Sequence, residues 1–221
     1  MNVHWAGRMP YTEAHALQRE WVDARADGAI DDRVLMVEHP LVVTVGRGRG
    51  ARDDVFDRDI EVVEVERGGQ ATLHGPGQLV AYPIVRLENA ERDLHEHLRR
   101  LERAVMDTLA LHGLVGQRDP RNTGVWLPAA PLPLKVCSVG IACRRWVTWH
   151  GLALNLHTDM TRFAALRPCG FTADVMTRVA DHLDPCPPLE GWVAPLASAL
   201  ARHLRRPWDG RITEEAGAPP A

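Results

Sequence analysis

Two side chains in this sequence can do chemistry as a nucleophile or as an acid and base, and both stand in unusual positions. Cys169 lies between a proline and a glycine and follows the polar segment 159–162. A partly exposed thiol near a cation can ionise and attack a carbonyl carbon, whereas a buried thiol is usually inert. The spacing alone leaves both a reactive and a structural Cys169 open.

The second is Lys135, the only lysine in a chain that otherwise uses arginine. Lysine can release its proton when it is desolvated and arginine cannot, so Lys135 is a candidate acid and base. A single lysine can also be an accident of an arginine-rich composition, and that alternative stays open.

Glycine is concentrated in residues 66–78, which contain four glycines, one proline and a set of closely spaced polar side chains: Arg67, Gln70, Thr72, His74 and Gln78. Glycine suits backbone that turns with positive φ or lies directly against a ligand. The spacing matches neither the phosphate loop nor the Gly-x-Gly-x-x-Gly pattern. Strand-like runs at 60–65 and 79–85 flank the stretch, so a ligand-binding loop and a ligand-free hairpin are both open.

Histidine gives a weaker signal, because the chain has eleven of them. His74 and His150 are candidate neutral bases or hydrogen-bond donors. A zinc site built from His74, His150 and Cys169 is a further hypothesis, but no locally spaced pair of ligands supports it. Of the other cysteines, Cys137 and Cys143 lie within apolar runs typical of a core, and Cys186 stands among prolines.

Composition restricts the class of protein. The 221 residues are 45% hydrophobic and carry a formal charge of −3, which fits one domain and argues against binding nucleic acid through phosphate neutralisation. The sequence contains no run of about 18 apolar residues, so we expect no membrane span. Four cysteines without metal spacing, and no pattern of a secretory leader, favour free thiols in the cytoplasm. We expect a domain over 1–208 and a flexible tail over 209–221.

Apolar periodicity predicts three helices. The first runs from Pro10 to about Ala26 with Thr12 as its cap, the second covers 94–109 and stops at Gly113, and the third covers 193–204. We expect His39, in the turn 38–40, to hold a corner between two strands. The basic, glycine-rich segment 46–52 is expected to be a solvated turn, with contact to an acidic partner as the alternative.

Short runs rich in β-branched residues predict about seven strands: 34–37, 41–45, 60–65, 79–85, 123–127, 135–142 and 146–149. A further run at 152–156 follows an expected break at 150–151. The proline-rich segment 128–133 is expected to be a loop. Because strands are often adjacent along the chain, we predict an α+β fold, with a mixed or antiparallel sheet and helices on one face.

Four blocks of this sequence, residues 67–78, 135–140, 150–155 and 168–170, occur together in an order and spacing that resemble the lipoyl(octanoyl) transferases. The likeness extends from about residue 10 to residue 204 and includes the turn 38–40. The resemblance implies the catalytic domain shared with biotin and lipoate protein ligases. That domain is an α/β sandwich with a large mixed β-sheet, a smaller sheet and packed helices.

The resemblance also implies an activity: transfer of an octanoyl group from acyl carrier protein to a lysine on lipoyl domains of 2-oxoacid dehydrogenases or on the glycine cleavage H protein. It implies no metal, no nucleotide and no other cofactor. By position, Cys169 matches the acyl-accepting nucleophile, and Lys135 matches the residue that lowers its pKa. The positions that match the substrate-binding segments are Arg67, Gly68, Gly69, Gln70, Ala71, Thr72, Leu73, His74, Ser138, Val139, Gly140, Gly151, Leu152 and Ala153.

Thioester exchange is nearly isoenergetic, so a cysteine can accept an acyl group without ATP. Glycines 68, 69, 75 and 77 would let the backbone approach the acyl chain. Two alternatives remain. An ATP-dependent ligase on the same scaffold would not need Cys169, and a module that only binds acylated carrier domains would need neither Cys169 nor Lys135.

Overall fold

The computed structural model describes residues 1–57, 59–120, 122–167 and 172–214. Within these ranges the chain forms eleven strands and three α-helices. In chain order they are β1 Asn2–Arg8, α1 Tyr11–Ala26, β2 Arg33–Glu38, β3 Val42–Val45, β4 Val62–Glu64, β5 Ala71–His74, β6 Gln78–Arg86, α2 Leu94–Ala110, β7 Gln117–Asp119, β8 Asn122–Leu127, β9 Leu134–Arg144, β10 Val147–Asn155, α3 Glu190–Leu204 and β11 Ile212–Glu214.

Eight strands form a large mixed sheet in the order β11-β1-β2-β6-β10-β9-β8-β7, and three form a small sheet in the order β4-β3-β5. Strand β1 pairs in parallel with β2 and β11, whereas β2, β6, β10, β9 and β8 pair antiparallel in succession. The predicted α+β fold, with a large mixed sheet and a smaller one, is confirmed.

Both faces of the large sheet are covered, so the expectation of helices on one face is wrong. Alternate residues of β6 point to opposite sides: Leu79 and Ala81 enter an apolar cluster with α2 and α3, whereas Val80 and Tyr82 enter a second cluster with α1. Strand β10, in the middle of the sheet, is buried along all nine of its residues. The middle of the sheet is therefore buried on both of its faces.

Two local predictions about helix α1 and strand β10 are corrected. Helix α1 is capped by Pro10, whose carbonyl accepts from the Ala14 N–H at 3.1 Å, so Thr12 lies inside the helix. No break interrupts β10 at 150–151, because β9 pairs along it without a change of register and His150 takes the left-handed backbone, with φ +55°.

The glycine-rich stretch is not a hairpin between its flanking strands. It contains β5, and the strands on either side lie in different sheets, β4 in the small one and β6 in the large one. The expected frayed tail is also partly ordered, because β11 pairs with β1 through Val3 and Ile212. Residues 215–221 lie outside the described part of the chain.

His39 holds the predicted corner. Its ring is fully buried, Nδ1 donates to the Met9 carbonyl at 2.7 Å, and Nε2 lies 2.8 Å from the Tyr82 hydroxyl. Asp93 caps the N-terminus of helix α2, where its side chain accepts from two backbone N–H groups. Among the described residues, no helix has the length and apolar character needed to cross a membrane.

Candidate functional site

A cavity of about 210 Å³ lies where the small sheet and the glycine-rich stretch face strands β9 and β10. Helix α1 contributes Tyr11, helix α2 contributes Leu98, and the start of β8 contributes Asn122 and Thr123. The lining residues are Tyr11, Arg67, Gly68, Gly69, Gln70, Thr72, His74, Val80, Tyr82, Leu98, Asn122, Thr123, Lys135, Ser138, Val139, Gly140, Ile141, His150, Gly151, Leu152 and Ala153.

Most of the predicted substrate-binding residues meet at this cavity. Two do not: Ala71 and Leu73 pack into the apolar cluster between the small sheet and the 3₁₀ turn at 160–165, because alternate residues of β5 face opposite sides. Cys169 lies outside the described residues. Of the four glycines expected against the acyl chain, Gly68 and Gly69 line the cavity, whereas Gly75 and Gly77 do not.

Lys135 is buried in the cavity wall, with 1% of its surface exposed. Its Nζ donates to Asn122 Oδ1 at 2.6 Å and lies 5.5 Å from the centre of the Trp126 indole. A buried ammonium needs charge-assisted hydrogen bonds to offset its lost hydration. The Asn122 oxygen therefore holds the buried Lys135 head group in place.

Gly124 makes room for that lysine. Its φ is +139°, and a Cβ at this position would overlap the Cys137 carbonyl oxygen and lie 2.7 Å from Lys135 Cε. Its backbone N–H donates to the buried Glu102 carboxylate at 3.0 Å. Sequence reasoning missed both Asn122 and Gly124. A glycine inside the strand pattern 123–127 was the available signal for a close approach.

Arg67 organises the glycine-rich stretch through its guanidinium. Nη1 donates to the Gln70 carbonyl at 2.8 Å, and Nη2 donates to the Thr44 carbonyl at 2.9 Å and to Thr44 Oγ1 at 3.0 Å. The segment 46–52 packs on the same loop, with the Gly48 N–H donating to the Gly69 carbonyl at 2.8 Å. The side chain of Arg67 thus fixes the cavity wall to the small sheet.

His74 is a neutral, buried link between the two sheets. Gln78 donates through Nε2 to Asn155 Oδ1 at 2.8 Å, so its Oε1 accepts from His74 Nδ1 at 2.8 Å. His74 Nε2 lies 3.4 Å from Thr44 Oγ1. Burial is the main cause that lowers the pKa of His74 to about 3. His74 therefore does not act as a proton acceptor near neutral pH, and both its nitrogens are already engaged, which argues against it as a zinc ligand.

His150 differs from His74 in that neither ring nitrogen has a hydrogen-bond partner among the described residues. Its residue surface is 1% exposed, and its Nε2 lies 3.9 Å from Glu66 Oε2. Burial, followed by the nearby His15 and Arg67, lowers the pKa of His150 to about 2. The ring is neutral at ordinary pH.

The described cysteines fall into two environments. Cys137 is fully buried, and that burial raises the pKa of its thiol to about 12, which makes it an inert core residue as expected. Cys143 was also expected in the core, but it is only partly buried and lines a separate opening beside Trp149. Cys186 is partly buried as well.

Known proteins resemble this chain along most of its length. A family model described as the lipoyl protein ligase A/B catalytic domain matches residues 10–201. Proteins named octanoyltransferase match from Geobacter metallireducens, 40% identical over 81% of this chain and 82% of that protein, and from Nostoc punctiforme, 44% identical over 80% and 77%.

Among solved structures, the fold matches the bipartite lipoate protein ligase from an archaeal lipoylation system of Thermoplasma acidophilum, with a TM-score of 0.73 and 18% identity over 98% of this chain and 88% of that one. At that identity the likeness establishes the fold alone. The fold, the residues that meet at the cavity and the sequence relatives agree: the chain belongs to the lipoyl protein ligase A/B catalytic domain family.

Proposed function

We propose that this protein is an octanoyltransferase that moves an octanoyl group from acyl carrier protein to a lysine of lipoyl domains, through a thioester on Cys169. The acceptors would be lipoyl domains of 2-oxoacid dehydrogenases and the glycine cleavage H protein, and the reaction would run in the cytoplasm. The observation that carries the proposal is the cavity lined by the chain's only lysine, in a sequence 40% identical to octanoyltransferases.

In the first half of the proposed reaction, the Cys169 thiolate attacks the thioester carbonyl of the donor. A bond from Cys169 sulfur to the acyl carbon forms, and the bond from that carbon to the carrier sulfur breaks. The Lys135 ammonium gives its proton to the departing carrier thiolate, which leaves Lys135 neutral. One thioester replaces another, so no nucleotide is consumed.

In the second half, the amine of the acceptor lysine attacks the Cys169 thioester. The neutral Lys135 amine takes the proton that the attacking nitrogen loses as the amide forms, and the Cys169 thiolate leaves. The enzyme returns to its thiolate and ammonium state, and all protons are accounted for. The amide is more stable than the thioester, which drives the transfer forward.

The contacts around Lys135 support this pairing. The Thr177 N–H donates to the Lys135 carbonyl at 2.9 Å, and Met176 forms an isolated parallel β-bridge with Lys135. On the other side of residues 168–171, the Arg167 N–H donates to the Asp54 carbonyl at 2.8 Å. Met176 and Thr177, which contact the Lys135 backbone, follow Cys169 in the sequence by seven and eight positions (176 − 169 and 177 − 169).

The cavity wall suits an acyl chain. Val139, Leu152 and Ala153 from β9 and β10 give it apolar surface. Buried apolar surface contributes about 25 cal/mol per Å², so each methylene of the octanoyl chain adds about 0.8 kcal/mol of binding when it is covered. Gly68 and Gly69 form another part of the wall, where the Gly68 N–H donates to the Ile141 carbonyl at 3.0 Å.

The assay incubates the protein with octanoyl-carrier protein and a lipoyl domain in the absence of nucleotide, followed by intact mass. We expect one octanoyl adduct on the enzyme, sensitive to hydroxylamine, and octanoylated lipoyl domain as product. Cys169→Ala should abolish both, whereas the matched control Cys143→Ala should keep both. Transfer undiminished in Cys169→Ala, or an adduct mapped to Cys137, would contradict the proposal.

The same assay distinguishes the competing activities. An ATP-dependent ligase would need free octanoate and ATP and would leave octanoyl-carrier protein unused. A module that only binds acylated carriers would form no covalent adduct and would release the carrier unchanged.

A further inference from the structure

Three potential metal ligands lie together beside the cavity, where α1, the glycine-rich stretch and β10 meet. They are His15, Glu66 and His150, and one ligand atom from each lies within 4.8 Å of the others. His15 Nε2 is 2.9 Å from Glu66 Oε2, and His150 Nε2 is 3.9 Å from the same oxygen. None of the three moves a proton or an acyl group in the proposed transfer reaction, although His150 also lines the cavity.

The buried ring of His150 lacks the partners that such a ring normally has. Buried polar side chains are hydrogen-bonded in the large majority of cases, and an unsatisfied one costs about 1–3 kcal/mol. Both nitrogens of His150 lack a hydrogen-bond partner among the described residues. The Nε2 atom is aimed toward the Glu66 carboxylate, so the unsatisfied capacity faces the other two ligands.

The backbone holds His150 in this position at a cost. Its φ of +55° is uncommon for a residue with a side chain, and its N–H donates to the fully buried Gln18 Oε1 at 3.0 Å. The ring stacks on Trp149 and on His15, with centroids 4.3 Å and 5.7 Å away. Such strain persists where surrounding contacts enforce it and is concentrated at functional sites.

We propose that His15, Glu66 and His150 bind one divalent transition-metal cation, for which Zn²⁺ is the best match. Two imidazole nitrogens and one carboxylate oxygen form a ligand set found in three-residue zinc sites, with a fourth position left for water or another small ligand. This site is separate from the proposed transfer, which needs no metal.

A metal ion at this place requires the ligand side chains to draw together. Bonds of about 2.0–2.1 Å in a tetrahedron put neighbouring ligand atoms about 3.3 Å apart. The two distances to Glu66 Oε2, 2.9 Å and 3.9 Å, lie on either side of that value, and all three ligand atoms lie within 4.8 Å of one another. The Glu66 side chain is 32% exposed and that of His15 is 15% exposed, so both can adjust and admit the ion from solvent, while His150 stays fixed.

Positive charge nearby opposes the cation: the guanidinium of Arg67 lies close enough to lower the pKa of His150, and Arg19 and Arg47 line an opening beside Glu66. That guanidinium donates to the carbonyl groups of Gly68, Gln70 and Thr44, which partly offset its charge. The Glu66 carboxylate supplies the negative charge that the site needs.

The test is a titration of the chelator-treated, reduced protein with Co²⁺, followed by its visible absorption, and then displacement of Co²⁺ by Zn²⁺. We expect one equivalent of tightly bound Co²⁺ with the bands of a four- or five-coordinate nitrogen and oxygen site. His15→Gln and Glu66→Gln should each weaken binding about tenfold or more, and His95→Gln, at an exposed histidine, should bind as the parent does.

Thermal unfolding of each variant without metal establishes that it is folded, and added Zn²⁺ should raise the Tm of the parent and of His95→Gln only. A thiolate-to-cobalt charge-transfer band, or equal affinity in the parent and both ligand variants, would overturn the proposal. These readouts do not use octanoyl transfer, so they remain informative whatever the transferase assay returns.

Discussion

Asn122→Ala removes the oxygen that accepts a 2.6 Å hydrogen bond from the buried Lys135 ammonium. Hydrogen bonds to charged groups contribute about 1.5–3 kcal/mol. We expect this bond to position Lys135 for the departing thiolate, and an interaction lost from the transition state alone slows a reaction tenfold for each 1.36 kcal/mol, so octanoyl transfer should slow by about 10- to 150-fold. The reason is that the proposed first half needs Lys135 charged at the moment the carrier thiolate departs.

The measurement is single-turnover transfer from octanoyl-carrier protein to a lipoyl domain, well below the Tm of each protein. The matched control is Thr108→Val, which removes a buried 2.8 Å hydrogen bond to the Ala104 carbonyl within α2, away from the cavity. Both variants should lose stability, but only Asn122→Ala should lose rate. A parent-like rate in folded Asn122→Ala would show that the reaction does not need this hydrogen bond to Lys135.

Three further predictions concern charge, backbone and pH. Lys135→Arg keeps a positive charge but cannot release a proton, so iodoacetamide should still label Cys169 while octanoyl transfer is largely lost. Lys135→Ala should lose both the labelling and the transfer. Unchanged labelling and transfer in Lys135→Ala would show that the lysine takes no part in the reaction. Gly77→Val should lower the Tm, because the φ of Gly77 is +81° and a Cβ there would lie 2.5 Å from the backbone of His157, just after β10. A parent-like Tm would show that the backbone accommodates the side chain. Burial lowers the pKa of His97 to about 4, so below about pH 6.5 the unfolded chain binds more protons than the folded one, and His97 alone should cost about 2 kcal/mol of stability as the pH falls from 7 to 5. Other buried histidines add to the acid destabilisation, so His97→Leu should reduce the dependence of Tm on pH without abolishing it, whereas the exposed control His95→Leu should leave it unchanged.

The Gly77 prediction reverses an expectation from the sequence. The glycine was expected to leave space for ligand, but its N–H donates to Glu38 Oε1 at 2.7 Å and its carbonyl accepts from the His157 N–H at 2.8 Å. Sequence shows that a glycine is present but not whether backbone or ligand fills the space beside it. Here the backbone of His157, 80 residues further along the chain (157 − 77), fills the space beside Gly77.

Local patterns predicted the helices well, because an apolar stripe directly reports which face is buried. The expected helix 94–109 is found as Leu94–Ala110, and the expected strand 135–142 lies within β9. By contrast, β1 and β11 were missed. They pair in parallel although Val3 and Ile212 lie near opposite ends of the chain, and their residues have no strong alternation to mark them.

The site was predictable in its residue types and less so in their roles. Lys135 and the glycine-rich stretch stand out in composition, yet Asn122 is an ordinary asparagine until the β8–β9 pairing brings it to the ammonium. A functional partner across a hairpin leaves no spacing signal within either strand. For that reason the oxygen that holds the lysine could be found only from the structure.

The polar side chains of the stretch 66–78 have a second role that composition does not reveal. Arg67, Gln70, Thr72 and His74 line the cavity. In addition, Arg67 donates to Thr44, Thr44 meets His74, His74 donates to Gln78, and Gln78 donates to Asn155 in β10. This buried chain of hydrogen bonds ties the small sheet to the large one, and each member is costly to leave unpaired. The stretch therefore satisfies much of its side-chain polarity within the protein, even where those side chains line the cavity. This is why a glycine-rich segment with polar side chains can form the wall of a site that would hold an apolar acyl chain.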